Sequence, residues 1–212
     1  MSRVAVLGSG VVGVTLANGL ADLGHEVGLG SRSGKTVEGW TGQVGTFAEV
    51  LRDADLAVLS VKGSIAEELV GSLTEELAGV TVIDTTNPIA DTPPVDGVLS
   101  YFTGPNESLM ERLQKLAPEA RFVKAFNSVG SALMVQPKLA GGLQPTMFLA
   151  GDNADAVATV AQIATQFGWE PEIVGSSIAA RAIEPLCVLW CIPGLRDNDW
   201  VHAFKVLRPA AD

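Results

Sequence analysis

Arg3-Val4-Ala5-Val6-Leu7 runs directly into Gly8-Ser9-Gly10-Val11-Val12-Gly13, and this junction decides the fold. Five apolar-rich residues ending in glycine read as a short buried strand. Val12, Leu16, Leu20 and Leu23 then recur at helical spacing, with Gly24 as a stop. A G-x-G-x-x-G between a strand and a helix has a definite physical use. Gly8 allows a tight turn, Gly10 lets the backbone approach a pyrophosphate, and Gly13 lets the helix pack closely on the strand. The helix N-terminus offers free N–H groups and partial positive charge to phosphate.

The pattern repeats outward from that junction. Glu26–Gly30, Leu56–Val61, Val80–Asp84, Phe122–Phe126 and Thr146–Ala150 read as further strands. Between them lie helical stretches. Thr46 with Glu49 and Ser64 with Glu67 fit capping boxes. Leu69, Leu73 and Leu77 continue the second of those helices. Leu109, Leu113 and Leu116 mark another, and Asp152 or Asn153 caps one that Gly168 closes. The strands are continuous apolar runs, as expected of strands covered on both faces. The expected fold is α/β, a doubly wound, mostly parallel Rossmann sheet over residues 1–175. A short helical C-terminal appendage over residues 176–212 follows it. There Ile178, Ala182, Ile183, Leu186, Leu189 and Trp190 form a wide apolar face with Pro185 as a kink, suited to covering the ligand site or to forming a homodimer. Ile89–Val98 reads as a surface loop, and Ser128–Gln144 as an irregular wall of the site.

The 212 residues carry a formal net charge of -10, which disfavours nucleic acid and anionic membranes as partners, so an anionic ligand needs locally placed donors. No run of about 18 apolar residues marks a membrane span. The N-terminus lacks a signal-peptide core, so a cytoplasmic protein is expected. Cys187 and Cys191, four apart on a helix, read as core packing; no third ligand is in view and no metal is expected.

The second strand chooses the cofactor. An NAD site places a carboxylate at its end, on the ribose hydroxyls. Here the end is Gly30-Ser31-Arg32-Ser33-Gly34-Lys35. Ser31 donates to a 2′-phosphate, Arg32 grips it with its planar fork, and Lys35 adds a third group, so NADP is expected.

These segments, together with Asp84-Thr-Thr-Asn-Pro88, Lys124-Ala-Phe-Asn127, Met147-Phe-Leu-Ala-Gly151-Asp152, Arg181 and Glu184-Pro185-Leu186, resemble the NADP oxidoreductases dependent on coenzyme F420, a deazaflavin. The resemblance implies a frequently dimeric Rossmann enzyme that moves hydride between nicotinamide and deazaflavin. It places Ser9, Gly10, Val11 and Val12 on the pyrophosphate, and Ser60 and Val61 beside the adenosine or its ribose. Asn87 and Asn127, after two strands, face the nicotinamide, and Lys124 and Asn127 orient a reacting ring. For Lys124, strand-end packing with an exposed amine is the other reading. Lys62, Lys138, Arg181 and Arg196 are the cations for the acidic tail of the deazaflavin. Hydride transfer needs little acid–base chemistry, and neither His25 nor His202 is placed for it. Three alternatives stay open. They are an ordinary flavin or metal reductase, a small carbonyl or imine reductase using Lys124, Ser128 or Ser131 as donor, and a non-catalytic NADP sensor.

Overall fold

A computed structural model describes residues 1–209; the last three residues of the expected appendage, 210–212, lie outside the described residues. In chain order the elements are β1 (Arg3–Leu7), α1 (Val11–Asp22), β2 (Glu26–Gly30), β3 (Gln43–Gly45), α2 (Phe47–Leu51), β4 (Leu56–Leu59), α3 (Gly63–Gly71), β5 (Thr81–Asp84), α4 (Leu109–Leu116), β6 (Arg121–Lys124), α5 (Ser131–Met134), β7 (Thr146–Gly151), α6 (Ala154–Gln166), β8 (Glu170–Gly175) and α7 (Ala180–Asp197). One eight-stranded sheet orders them β3-β2-β1-β4-β5-β6-β7-β8. Every pairing is parallel except β6 with β7. The expected α/β Rossmann architecture is therefore present.

Two cores cover the faces of the sheet. Leu16, Leu20, Val160, Phe167 and Trp169 fill one, under α1 and α6. Val70, Leu77, Leu113 and Phe122 fill the other, under α3 and α4. Register aligns the strand ends: Leu7 pairs with Gly30 and with Leu59, Leu59 with Asp84, and Asp84 with Lys124. Consequently Gly8, Ser31, Ser60, Thr85 and Ala125 leave the sheet side by side. That edge, at the carboxyl ends of the parallel strands and astride the point where strand order reverses around β1, is where such sheets bind ligands.

Several details depart from the sequence reading. The Thr46–Glu49 capping box forms. The one at Ser64–Glu67 does not, because α3 begins two residues early, at Gly63, with Lys62 as an N-cap that makes no side-chain hydrogen bond. A Cβ on Gly63 would stand 1.9 Å from the carbonyl oxygen of Asn87, so this glycine is what brings the helix against the loop after β5. α3 ends at Gly71, and Leu73 and Leu77 are buried from the turn beyond it. β4 stops at Leu59, short of the expected Val61, and β6 at Lys124, short of the expected Phe126.

The C-terminal helix α7 runs through both Pro185 and Pro193, each of which removes one main-chain donor. The stretch Ser177–Asp197 is long and apolar enough to cross a membrane by length and composition, contrary to the expectation that no such stretch exists. In this fold it docks instead, through Ala180, Ile183, Glu184, Cys187, Trp190 and Gly194, a single helical face. Residues beyond it return along the sheet edge. The Thr146 N–H donates to the carbonyl of Phe204, and Lys205 and Arg208 pair with Glu170 and Glu172 of β8.

Candidate active site

The glycine loop has the geometry a pyrophosphate requires. Gly8 takes φ +136°, and a Cβ there would stand 2.5 Å from the Ser60 carbonyl oxygen. A Cβ on Gly13 would stand 1.9 Å from the Gly8 carbonyl oxygen. Both glycines are therefore consumed by packing of chain on chain. Gly10 differs. It is the N-cap of α1 at φ −77°, no side chain caps the helix, and a Cβ there would meet nothing within 4 Å. The first-turn N–H groups of Val11, Val12 and Gly13 have no internal acceptor among the described residues, and the space beside Gly10 is open. This arrangement fits an anionic group held by the backbone alone, as the overall charge demands.

The end of β2 lies at the same edge. Ser31 is buried, and its hydroxyl oxygen accepts from the Gly34 N–H at 3.0 Å, which folds the turn and leaves the hydroxyl proton free to donate. Arg32 and Lys35 are exposed on that turn, and neither has an ion-pair partner among the described residues.

Beside the loop lies a cavity of about 180 Å³. Five of the residues singled out from sequence line it: Val12, Ser60, Val61, Asn87 and Asn127. The two asparagines lock each other. The Asn87 amide donates to the Asn127 carbonyl at 2.8 Å, and the Asn127 amide donates to the Asn87 side-chain oxygen at 3.0 Å and to the Ile183 carbonyl of α7 at 3.1 Å. Ser60 Oγ donates to the Leu7 carbonyl at 3.2 Å, tying β4 to the glycine loop.

The rest of the lining comes in part from segments expected to border the site, the irregular wall Ser128–Gln144 and the apolar C-terminal face with Trp190, and in part from residues not singled out as lining. Thr85 and Phe126 come from strand ends, Val129 and Met134 from the irregular segment, and Cys187, Trp190 and Cys191 from α7. The cysteines are therefore wall residues as well as packing residues. Phe126 sits at φ +57°, a left-handed conformation costly for a bulky residue, and its N–H is directed at Met147 Sδ, 3.1 Å away. Strain of this kind persists at functional sites where the surroundings over-determine it. Neither Ser128 nor Ser131 lines the cavity.

Lys124 requires a correction. Its amine is neither exposed nor open to the cavity. The side chain is wholly buried, 2.6 Å from Asp84 Oδ2 and 2.9 Å from Glu184 Oε1, and donates to the Thr86 carbonyl at 2.9 Å. Burial alone would pull the ammonium pKa down, but Asp84 and Glu184 together outweigh burial and hold it above its ordinary value. Asp84 Oδ2 has no hydrogen bond of good angle, and its partner is that ammonium. Asp84 Oδ1 accepts from Thr86 N–H and Oγ1, while Glu184 accepts from the N–H groups of Leu109 and Met110 at the start of α4. The cluster fastens α7 to the sheet and shapes the loop carrying Thr85 and Asn87. Lys124 is thus a positioning residue. Of the cations expected for an acidic tail, Arg181 is engaged by Glu111 through two hydrogen bonds of 2.9 and 2.6 Å.

A sequence profile described as NADP oxidoreductase, coenzyme F420-dependent, matches residues 3–88. A crystal structure of a candidate F420-dependent NADP-reductase from Arthrobacter sp. FB24 is 30% identical, with a TM-score of 0.89, over 98% of this chain and 100% of that one. The chain belongs to the family of coenzyme F420-dependent NADP oxidoreductases. The F420-dependent NADP reductase of Methanothermobacter marburgensis is 27% identical over 88% of this chain and 90% of its own. The rat metalloreductase STEAP3 is 31% identical over 91% of this chain, which spans only 38% of that protein's length. As a family member this chain is an NADP-dependent oxidoreductase, and NADP is the cofactor the family implies. The family profile ends at Pro88 and so takes in the glycine loop, Ser31-Arg32, Ser60-Val61 and Asn87. The Lys124–Glu184 cluster and the α7 wall lie beyond it.

Proposed function

We infer that the chain moves hydride between NADP(H) and coenzyme F420, with the cavity beside the glycine loop as the nicotinamide site. One observation carries this reading: among the described residues, the cavity walls contain no carboxylate, lysine, arginine or histidine. Chemistry that needs a placed proton donor finds none there except thiols and hydroxyls, whereas hydride exchange between two flat rings needs only approach, alignment and exclusion of water.

In this reading NADP, when bound, supplies or accepts the hydride. The Val11, Val12 and Gly13 N–H groups, with Ser9, hold its pyrophosphate. Ser31, Arg32 and Lys35 hold the 2′-phosphate. Val12, Val61, Val129 and Trp190 make a dry apolar wall, while Asn87 and Asn127 fix the orientation of the carboxamide-bearing ring. The Lys124–Asp84–Glu184 cluster keeps α7 seated so that this wall stays in place. Exposed Leu189 and Leu195 on α7, with Ile178 in the turn just before it, suit a second copy of the chain, and a cytoplasmic homodimer is part of the same proposal.

The similarity to the metalloreductase favours one second reading, in which an ordinary flavin takes the hydride and passes electrons to metal. Following NADPH absorbance with F420, FAD and FMN in turn separates the two. Turnover with F420 alone supports the deazaflavin. Turnover with FAD or FMN and none with F420 transfers the assignment to flavin.

A further inference from the structure

We propose that Cys187 and Cys191 form a hydroperoxide-oxidisable dithiol in the wall of the nicotinamide pocket, and that closing the pair weakens NADP(H) binding by moving Trp190. The coupling to NADP(H) rests on the assignment of that pocket made above; the thiol chemistry does not.

Both cysteines are free, both line the cavity, and their sulfurs stand 4.0 Å apart on successive turns of α7. The two are not equivalent. Cys187 is buried, and the hydrogen bond with Cys191, with burial added, pushes its thiol up. Cys191 is partly exposed, and the same hydrogen bond, now accepted by its sulfur, pulls its thiol down. Cys191 is therefore the nucleophile and Cys187 the resolving thiol.

The chemistry balances with a hydroperoxide as oxidant. Cys191 sulfur attacks the terminal oxygen, and the O–O bond breaks. The departing oxygen leaves as alcohol, or as water from hydrogen peroxide, carrying the proton that Cys191 gave up. The sulfur is oxidised to a sulfenic acid. Cys187 sulfur then attacks that sulfur, the S–O bond breaks, and water leaves with the Cys187 proton. Two thiols and one hydroperoxide yield one disulfide, one alcohol and one water.

Closing the pair has a structural consequence. Cβ atoms four apart on a helix stand about 5–6 Å from each other, while a disulfide requires about 3.5–4.5 Å. The helix must therefore deform between the two cysteines. Pro185 and Pro193 bracket this stretch, and the main-chain hydrogen bond that Pro193 cannot make is the one to the Leu189 carbonyl, between the two cysteines. Trp190 lies inside it. Its ring rests where a Cβ on Gly130 would stand 2.7 Å away, it stacks on His202 at 5.0 Å, and its Nε1 donates to the His202 carbonyl at 2.8 Å. A wall side chain held this closely moves when its helix turn moves.

The test uses the full chain, reduced and then treated with hydrogen peroxide. Intact mass after maleimide labelling in denaturant, which opens the buried Cys187, is the thiol readout, and calorimetric NADPH titration of the folded protein the binding readout. The reduced protein takes two maleimides. The oxidised protein is expected to take none, to be lighter by two hydrogens, to run as an unlinked chain on a non-reducing gel, and to recover with dithiothreitol. Its NADPH affinity is expected to fall about tenfold. Cys187→Ser should stop at a sulfenic acid on Cys191 that dimedone traps. Thiols that stay open to maleimide, or that gain oxygen without pairing, overturn the proposal, as does a closed pair that binds NADPH as tightly as the open one. If the reduced protein binds no NADPH, the pocket assignment fails, and the coupling with it, while the mass readout still decides the thiol step.

Discussion

Replacing Lys124 by methionine tests the buried cluster most severely. The substitution keeps the volume of the chain but leaves Asp84 and Glu184, with side chains 0% and 2% exposed, as two carboxylates without a counter-charge. Removing one partner of a buried pair costs about 3–5 kcal/mol. For a chain of this size that lowers the melting midpoint by roughly 6–20 °C. In the native protein the Lys124 pKa is raised, so its contribution is fully present below the unfolded value of 10.5 and is lost only as pH rises through the folded value. It is therefore constant between mildly acidic and neutral pH. In the variant the penalty is that of two buried carboxylates with no cation between them, so removing the charge of one relieves it. Urea denaturation at neutral pH should show the deficit, and adding Glu184→Gln should recover part of it. A deficit below about 1 kcal/mol, or one that Glu184→Gln leaves unchanged, would refute the account of the cluster.

Gly10→Ala should leave stability unchanged, since its backbone is unstrained and its Cβ meets nothing, yet place a methyl in the pyrophosphate site and weaken NADPH binding by about tenfold or more. Gly13→Ala should instead destabilise the fold, because its Cβ would overlap the Gly8 carbonyl; denaturation curves of the two variants separate the roles. Arg32→Glu should lower NADPH affinity by about 10–100-fold, the worth of a charged hydrogen bond, with NADH affinity nearly unmoved in parallel titrations. Glu111 is held down to about 2, first by its hydrogen bonds with Arg181 and then by those with Ser108, so its contribution is present above its unfolded value of 4.5 and disappears as pH falls through about 2. In acid unfolding curves Arg181→Ala should remove most of the stability change in that window.

The parts of the molecule that strong local rules govern were legible in the residues. The apolar runs of β1, β2, β4, β5, β6 and β7 and the Gly8–Gly13 loop follow from burial and turn chemistry. β3 and β8 did not show because neither carries a buried apolar run: β3 has three residues, and β8 is a half-exposed edge strand. The antiparallel β6–β7 pairing depends on how the Ala125–Pro145 connection returns, which no periodicity records. Half of the cavity was visible because strand ends must converge at one edge of such a sheet. Its far wall was legible only in outline: the apolar face with Trp190 suited covering the ligand site, but Cys187 and Cys191 read as packing, and they reach the cavity only through tertiary docking of α7. Lys124 was noticed as a polar residue at a strand end, but its two carboxylate partners lie 40 and 60 positions away along the chain, and only the fold brings them together. The left-handed Phe126 leaves no sequence signal at all, since glycine or asparagine is what such a conformation ordinarily selects.

The central claim is that this site passes hydride between NADPH and a deazaflavin without a placed acid or base. Its most direct measurement is the loss of nicotinamide absorbance on mixing the protein with NADPH and oxidised F420, beside the same mixtures with FAD, FMN and a carbonyl panel. Rapid NADPH oxidation with F420 and none with the others is the predicted result. Tight NADPH binding with no oxidation by any acceptor would contradict the claim and leave a protein that senses NADP without turning it over.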